Sequence, residues 1–172
     1  MKSMHHGVLC TIDDGDDLYE RSTAIKVRYH TIVSLGFGLL FYLVFKSLAG
    51  ALVCFFSGVL VDVDHYFDYV RDRGLNFNIK RFFRYTYELQ YDQLFIVFHA
   101  YEYLVPLALI LIISEYNLLL VAASVGFTQH LLFDQFFNPV KPFAYFITYR
   151  LKNKCSKRSL LQDDYIASVR DT

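Results

Sequence analysis

Four long apolar stretches alternate with polar segments along the chain. They cover roughly residues 31–47, 48–69, 93–114 and 117–137. A helix rises about 1.5 Å per residue, so about 20 residues cross the hydrocarbon layer of a bilayer. Almost no linker separates the first stretch from the second or the third from the fourth, so each pair predicts a helical hairpin. The pattern therefore predicts an all-α membrane protein, a four-helix transmembrane bundle of two hairpins.

The second stretch is long enough to cross a membrane only if it includes charged residues. Its uncharged part, from Leu48 to Val61, would be about 21 Å long as a helix. It becomes a full span only if the helix continues through Asp62 and His65 to Tyr69. Ionisable groups at this depth are costly, at roughly 2.5–3.5 kcal/mol on insertion scales, unless they are paired. We therefore expect other polar groups to meet this cluster.

The remaining segments are polar, and each has its own character. Residues 1–22, which include His5-His6 and the acidic run 13–17, predict a mobile N-terminus. Residues 70–92 mix Arg and Lys with aromatic residues, which predicts an interfacial connector helix between the hairpins. Residues 139–172 predict a basic cytoplasmic tail. The span-bearing part, 23–138, is the predicted metal-binding membrane domain.

Charge and cysteine content narrow the choice of partners. The formal net charge is +0, so no overall positive charge favours nucleic acid, and we expect no nucleic-acid partner. Three scattered cysteines predict neither a disulfide framework nor a thiolate metal site. The basic segments lie on one side of a four-span bundle, which predicts cytoplasmic N- and C-termini in an integral membrane protein. Membrane lipid is the expected surrounding partner, and the oligomeric state stays open.

Ionisable side chains recur at one predicted depth in all four spans. Counted from the hairpin tips, each span brings such groups to a layer near its cytoplasmic end. Three pairs share a helix face at a spacing of three or four residues. Imidazole and carboxylate are ligands that suit zinc, manganese or iron. The predicted metal ligands are His30, Asp62, Asp64, His65, His99, Glu102, His130 and Asp134. Buried salt bridges are the simpler interpretation of each pair taken alone.

The same residues resemble a known family. His30, the stretch Asp62-Val63-Asp64-His65, the stretch His99-Ala100-Tyr101-Glu102, and His130 with Asp134 are similar to motifs of the predicted membrane-bound metal-dependent hydrolases. That family is named in bacteria for a LexA-regulated inner-membrane protein. The resemblance covers residues 30–137, with Val61 where the family has Pro and without its His-Arg-Gly-x-Thr-His-Ser stretch. It implies a metal-dependent hydrolase acting on lipid or phosphate esters, in a bacterial or archaeal cytoplasmic membrane.

The expected chemistry is hydrolysis by metal-activated water. One or two divalent ions, zinc first and manganese or iron second, would lower the pKa of bound water, and Asp64 or Glu102 would act as general base. The substrate would be an anionic lipid or another phosphate ester. No Ser-His-Asp order points to a serine nucleophile. A metal-ion or proton transporter, and a non-catalytic membrane protein with a structural metal site, are the alternative interpretations.

Overall fold

The chain folds entirely as helices and irregular segments in the part that the structure describes. A computed structural model describes residues 27–87 and 90–170, so the predictions for residues 1–22 lie outside it. The helices are α1 (Val27–Phe45), α2 (Leu48–Val59), α3 (Asp64–Arg73), α4 (Ile79–Tyr87), α5 (Leu104–Ile113), α6 (Leu118–Phe137), α7 (Ile147–Lys152), α8 (Lys157–Leu160) and α9 (Asp163–Arg170), with 3-10 turns at Leu60–Val63 and Tyr101–Tyr103. Within these ranges only two isolated β-bridges occur and no strand. The prediction of an all-α protein is confirmed.

The first hairpin has a turn of only two residues. Lys46 adopts a left-handed conformation, with φ of 54°, and reverses the chain after α1. Ser47 then caps α2, because its hydroxyl accepts a hydrogen bond of 3.1 Å from the amide of Gly50. α1 and α2 therefore pack side by side along their length.

Two helical runs are long and apolar enough to cross a membrane. They are Arg28–Phe45 and Leu48–Arg73, the latter formed by α2, the 3-10 turn and α3 in succession. Only 22% and 33% of the residues in their most apolar windows are buried, whereas core helices of soluble proteins are mostly buried. Large apolar side chains are exposed on several helices, including Ile32, Leu35, Leu39, Leu52, Phe56, Leu109 and Ile112. Such extended apolar surface is typical of contact with lipid.

The predicted third span differs from the observed structure. Residues 93–100 are irregular, and α5 has only ten residues, about 15 Å of helix. The amides of Phe95 and Ile96 donate to Asp68 at 3.0 Å each, and the amide of Phe98 donates to Asp64 at 2.7 Å. These carboxylates take up the N–H groups that a helix would have used. The four-span bundle therefore stays a prediction, since two spans have the necessary length and composition.

The connector and the C-terminal segment pack against the rest of the protein. In α4, Phe82 contacts the rings of Tyr66 and Tyr69, and the buried Tyr85 hydroxyl donates to Asp72. Burial raises the pKa of Tyr85, and Asp72 raises it further. Phe82 and Tyr85, two of the rings expected at a lipid boundary, thus contact protein.

The segment predicted as a basic tail is folded back onto the helices. The amide of Leu94 donates to the Cys155 carbonyl at 2.9 Å, and the amide of Lys157 donates to the Asp92 carbonyl at 3.0 Å. Val140, Tyr145, Leu160 and Leu161 are buried in a common core with Tyr69, Tyr85, Tyr91, Leu94 and Ile96. This aromatic and aliphatic core covers the end of the helical bundle. Removal of its apolar area from water stabilises the packing of the C-terminal segment there.

Two glycines allow α1, α2 and α6 to approach closely. A β-carbon on Gly126 of α6 would overlap the Cys54 carbonyl and the Ser57 hydroxyl of α2. A β-carbon on Gly58 of α2 would overlap Gln129 and Ser34. Ser34 and Gln129 are themselves joined by a buried hydrogen bond of 2.8 Å. Small residues of this kind allow helix backbones to meet in membrane proteins.

Gly126→Ala is expected to destabilise the protein. Alanine favours a helix by about 0.8–1 kcal/mol over glycine, but overpacking against backbone costs typically 1–3 kcal/mol. Because the clash is with a carbonyl that cannot rotate away, the packing loss should exceed the helical gain. Thermal denaturation of the full chain in detergent should show a lower midpoint than wild type. Gly36→Ala is the matched control, since a β-carbon added at Gly36 would have no neighbour within 4 Å, and it should not lower the midpoint.

Candidate metal centre

Ionisable side chains from five parts of the chain meet at one end of the helical bundle. His30 comes from the start of α1, Asp62 from the 3-10 turn after α2, and His65 from the start of α3. His130 and Asp134 lie one turn apart on α6, and His99 comes from the irregular segment. All are buried except Asp62 and His65, which are partly buried. The six residues form what we call the His/Asp cluster.

Asp134 lies among three imidazoles. Its Oδ1 is 3.0 Å from Nε2 of His30, and its Oδ2 is 3.0 Å from Nε2 of His99 and 3.3 Å from Nε2 of His130. The two last nitrogens are 3.1 Å apart. All three histidines therefore direct the same ring atom towards one carboxylate.

Asp62 is the second carboxylate of the cluster and lies farther from the imidazoles than Asp134 does. Its Oδ1 lies 3.5 Å from Nε2 of His130, 3.6 Å from Nε2 of His99 and 3.8 Å from Nε2 of His65. Its Oδ2 is buried and has no hydrogen-bond partner among the described residues. A buried carboxylate oxygen without a partner is costly, so this atom indicates a missing proton, water or cation.

The spacing of these atoms fits a metal ion. Ligands about 2.0–2.2 Å from a tetrahedral zinc ion lie roughly 3.3–3.6 Å from each other. The measured separations between imidazole nitrogens and carboxylate oxygens, 3.0 to 3.8 Å, bracket that range. Two groups have ligand atoms that all lie within 4.8 Å of one another: His30, Asp62, His130 and Asp134; and Asp62, His65 and His99. The cluster can therefore hold a metal ion. When the histidines are protonated, the same atoms form ion pairs instead.

Asp64 orients His99 from outside the cluster. Its Oδ2 lies 2.9 Å from Nδ1 of His99 and accepts the amide hydrogen of Phe98. Since an ionised carboxylate only accepts, Nδ1 carries the hydrogen, and Nε2 of a neutral ring presents a lone pair to the cluster. Carboxylate–histidine pairs of this kind support metal ligands in many proteins. Asp64, predicted as ligand or base, belongs to neither candidate ligand group and has this orienting contact instead.

Glu102 is directed away from the cluster. Its Oε1 accepts hydrogen bonds from the amide and the hydroxyl of Thr148, at 3.0 and 3.1 Å, at the start of α7. His99 and Glu102 were expected to share a helix face, yet His99 precedes the 3-10 turn and is not helical. Glu102 is in neither candidate ligand group.

Three residues at the site were not predicted from the sequence. The Nη1 of the buried Arg150 donates to the His99 carbonyl at 2.8 Å, and burial lowers the pKa of this guanidinium while Asp64 opposes the effect. Asn138 donates to Asp134 Oδ1 at 2.9 Å and to the Tyr145 hydroxyl at 3.2 Å. The Tyr145 ring stacks on His99, with centroids 5.8 Å apart. All three lie near or beyond Pro139, in the part of the sequence read as the end of the last span and a basic tail, and no spacing rule pointed to them.

A partly enclosed cavity of about 80 Å³ lies over the cluster. Its polar lining includes His30, Asp62, His65, His99 and Asp134. Apolar walls come from both the irregular segment and the C-terminal core, namely Leu94, Ile96, Val140 and Leu161. This volume is sufficient for a few water molecules or a small polar group next to the metal ligands.

Comparison with known proteins identifies no match to this chain. No family model matches the chain, and neither a curated protein nor a solved structure matches it. The likeness to the membrane-bound hydrolases therefore stays a prediction from motifs. The chemical interpretation of the site depends on its own geometry.

Proposed function

We propose that the His/Asp cluster binds a divalent metal ion and that the protein hydrolyses an ester at a membrane surface. The observation that carries this proposal is the convergence of three Nε2 atoms, from His30, His99 and His130, on the Asp134 carboxylate beside a cavity. Nitrogen and oxygen donors in this combination suit zinc first and manganese or iron next.

Each residue of the site has a distinct task in this proposal. When bound, the ion would supply a water of lowered pKa and polarise an ester oxygen. Asp64 keeps His99 in the tautomer that presents Nε2 to the cluster. Asp62 Oδ2, a buried carboxylate oxygen of the cluster that has no hydrogen-bond partner among the described residues, is the acceptor we assign to the proton of the attacking water. The apolar cavity walls limit access of bulk water.

The surroundings favour a substrate that is itself associated with a membrane. α1 and the run 48–73 have the length and apolar character of membrane spans, and the cluster lies where both approach their charged ends. Lys80, Arg81 and Arg84 are exposed on α4, and basic residues at a membrane surface attract anionic lipid head groups. We therefore propose a lipid or phosphate ester as substrate. We place the site at the cytoplasmic face of the membrane, because basic segments flank the spans.

Metal analysis joined to a hydrolysis assay tests the proposal. The full chain, purified in detergent and dialysed against zinc or manganese, should retain stoichiometric metal. It should also cleave bis(p-nitrophenyl) phosphate or p-nitrophenyl butyrate above the rate of the His130→Ala variant, and chelation should abolish the activity. Absence of stoichiometric metal under both loading conditions would contradict the proposal.

The two alternative functions give different results with the same preparation. A transporter would move radioactive zinc into proteoliposomes at a rate that His130→Ala lowers. A structural site would retain metal and lose thermal stability on chelation, while cleaving neither ester. Either outcome would replace hydrolysis as the function of the cluster.

A further inference from the structure

The Asn138 side chain links the cluster to a tyrosine that no motif identified. Its Nδ2 lies 2.9 Å from Asp134 Oδ1 and 3.2 Å from the hydroxyl oxygen of Tyr145. Both partners of Asn138 line the cavity, as Asn138 itself does. Tyr145 is buried and its ring stacks on His99. The tyrosine hydroxyl is thus held beside the candidate ligands by two separate contacts.

Hydrogen-bond accounting fixes the direction of this chain. An ionised carboxylate has no hydrogen to donate, so the atom of Asn138 nearest Asp134 must be the amide nitrogen. The same nitrogen then donates its second hydrogen to Tyr145, whose oxygen is the acceptor. A phenol with a pKa of about 10 keeps its own hydrogen at neutral pH. The Tyr145 hydroxyl therefore has a hydrogen left to donate, and its oxygen is kept in place by Asn138.

We propose that Tyr145 donates its phenolic hydrogen to an anionic oxygen of the substrate, a phosphate ester whose phosphoryl group occupies the cavity over the His/Asp cluster. This inference deepens the function proposed above and rests on it. The cavity of about 80 Å³ suits a group of that size, and Tyr145 lines it next to the candidate ligands His99 and Asp134. A preorganised donor in a water-poor site is an effective stabiliser of such an oxygen.

Binding of inorganic phosphate to the cobalt-loaded protein tests this role. The full chain in detergent is loaded with Co²⁺, whose visible spectrum reports the ligand set, and titrated with phosphate. Tyr145→Phe keeps the ring on His99 and removes only the hydroxyl. We expect an unchanged cobalt spectrum and phosphate binding about 10- to 100-fold weaker than in wild type, the usual loss for a hydrogen bond to a charged group.

Tyr149→Phe is the matched control. Its hydroxyl donates to the Ser159 carbonyl at 3.3 Å, and Tyr149 does not line the cavity. Phosphate affinity should be unchanged in this variant. Equal phosphate affinity in wild type and Tyr145→Phe would overturn the inference, and so would an altered cobalt spectrum in Tyr145→Phe, which would assign the hydroxyl to the metal ligands. Failure of wild type to bind Co²⁺ would instead refute the proposed function, so the two failures are distinguishable.

Discussion

Asp134→Ala is expected to abolish stoichiometric metal binding. The carboxylate lies within 3.3 Å of Nε2 of His30, His99 and His130, so its loss removes the one group that all three rings share. Substitution of residues that merely support metal ligands typically costs 10- to 100-fold in affinity. Loss of a direct ligand with three imidazole contacts should therefore weaken binding by more than about 100-fold. Competition with a chelating dye, using the full chain in detergent, measures the affinity.

Two carboxylates serve as controls for that experiment. Glu102→Gln tests a carboxylate that the sequence placed in the cluster but that bonds to Thr148 in the structure. Asp163→Ala tests a carboxylate at the surface, where Asp163 pairs with Lys141. Both variants should bind zinc with wild-type affinity. Weakened binding in Glu102→Gln, or wild-type binding in Asp134→Ala, would contradict this ligand set.

His99→Ala is expected to lower the stability of the metal-free protein strongly. His99 lies 2.9 Å from Asp64 and 3.0 Å from Asp134, and both carboxylates are almost fully buried. Removing one partner of a buried charged pair typically costs about 3–5 kcal/mol, because the remaining charge loses its compensation. Denaturation in detergent with a chelator present should show a loss of this size.

A second substitution distinguishes two causes of the stability loss in His99→Ala. One is a buried carboxylate left without a compensating charge, and the other is the loss of side-chain packing. In the double variant His99→Ala with Asp64→Ala, one of the uncompensated carboxylates is gone. We expect the double variant to be more stable than the sum of the two single losses predicts, by about 1–3 kcal/mol, as for residues in direct contact. Additive losses would show that His99 stabilises the fold by packing alone. Tyr101→Phe removes only a hydroxyl that lies 3.5 Å from the Leu131 carbonyl, and it should be nearly neutral.

The residues on continuous helical runs were the ones whose positions the sequence could predict. His130 and Asp134 are separated by one turn of α6, and helical spacing alone puts them on one face. His30 and Asp62 were placed by counting along a hairpin whose two-residue turn leaves little freedom. Local rules suffice where the backbone repeats regularly, so these positions needed no knowledge of distant contacts.

Helical spacing gave a wrong geometry for Glu102 because its segment is not a helix. The amides of Phe95, Ile96 and Phe98 bind carboxylates that are 27, 28 and 34 residues away in sequence. An apolar segment with such distant partners looks the same in sequence as a membrane span. The positions of Arg150 and Tyr145 depend on the same kind of long-range contact, since the C-terminal core forms only when α3, the irregular segment and residues 139–161 meet.

The hydrogen bond from Arg150 to the His99 carbonyl has a consequence for biosynthesis. The last residue of the His/Asp cluster to be translated is Asp134, yet Arg150, which anchors the His99 backbone, follows 16 residues later. A nascent chain that has been synthesised only as far as Pro139 contains every candidate metal ligand of the cluster. It lacks Arg150, whose hydrogen bond holds the backbone of His99 in place. The metal centre is therefore complete only after the last part of the polypeptide has been synthesised. A truncated product is expected to bind metal ions poorly even though it contains all the candidate ligands.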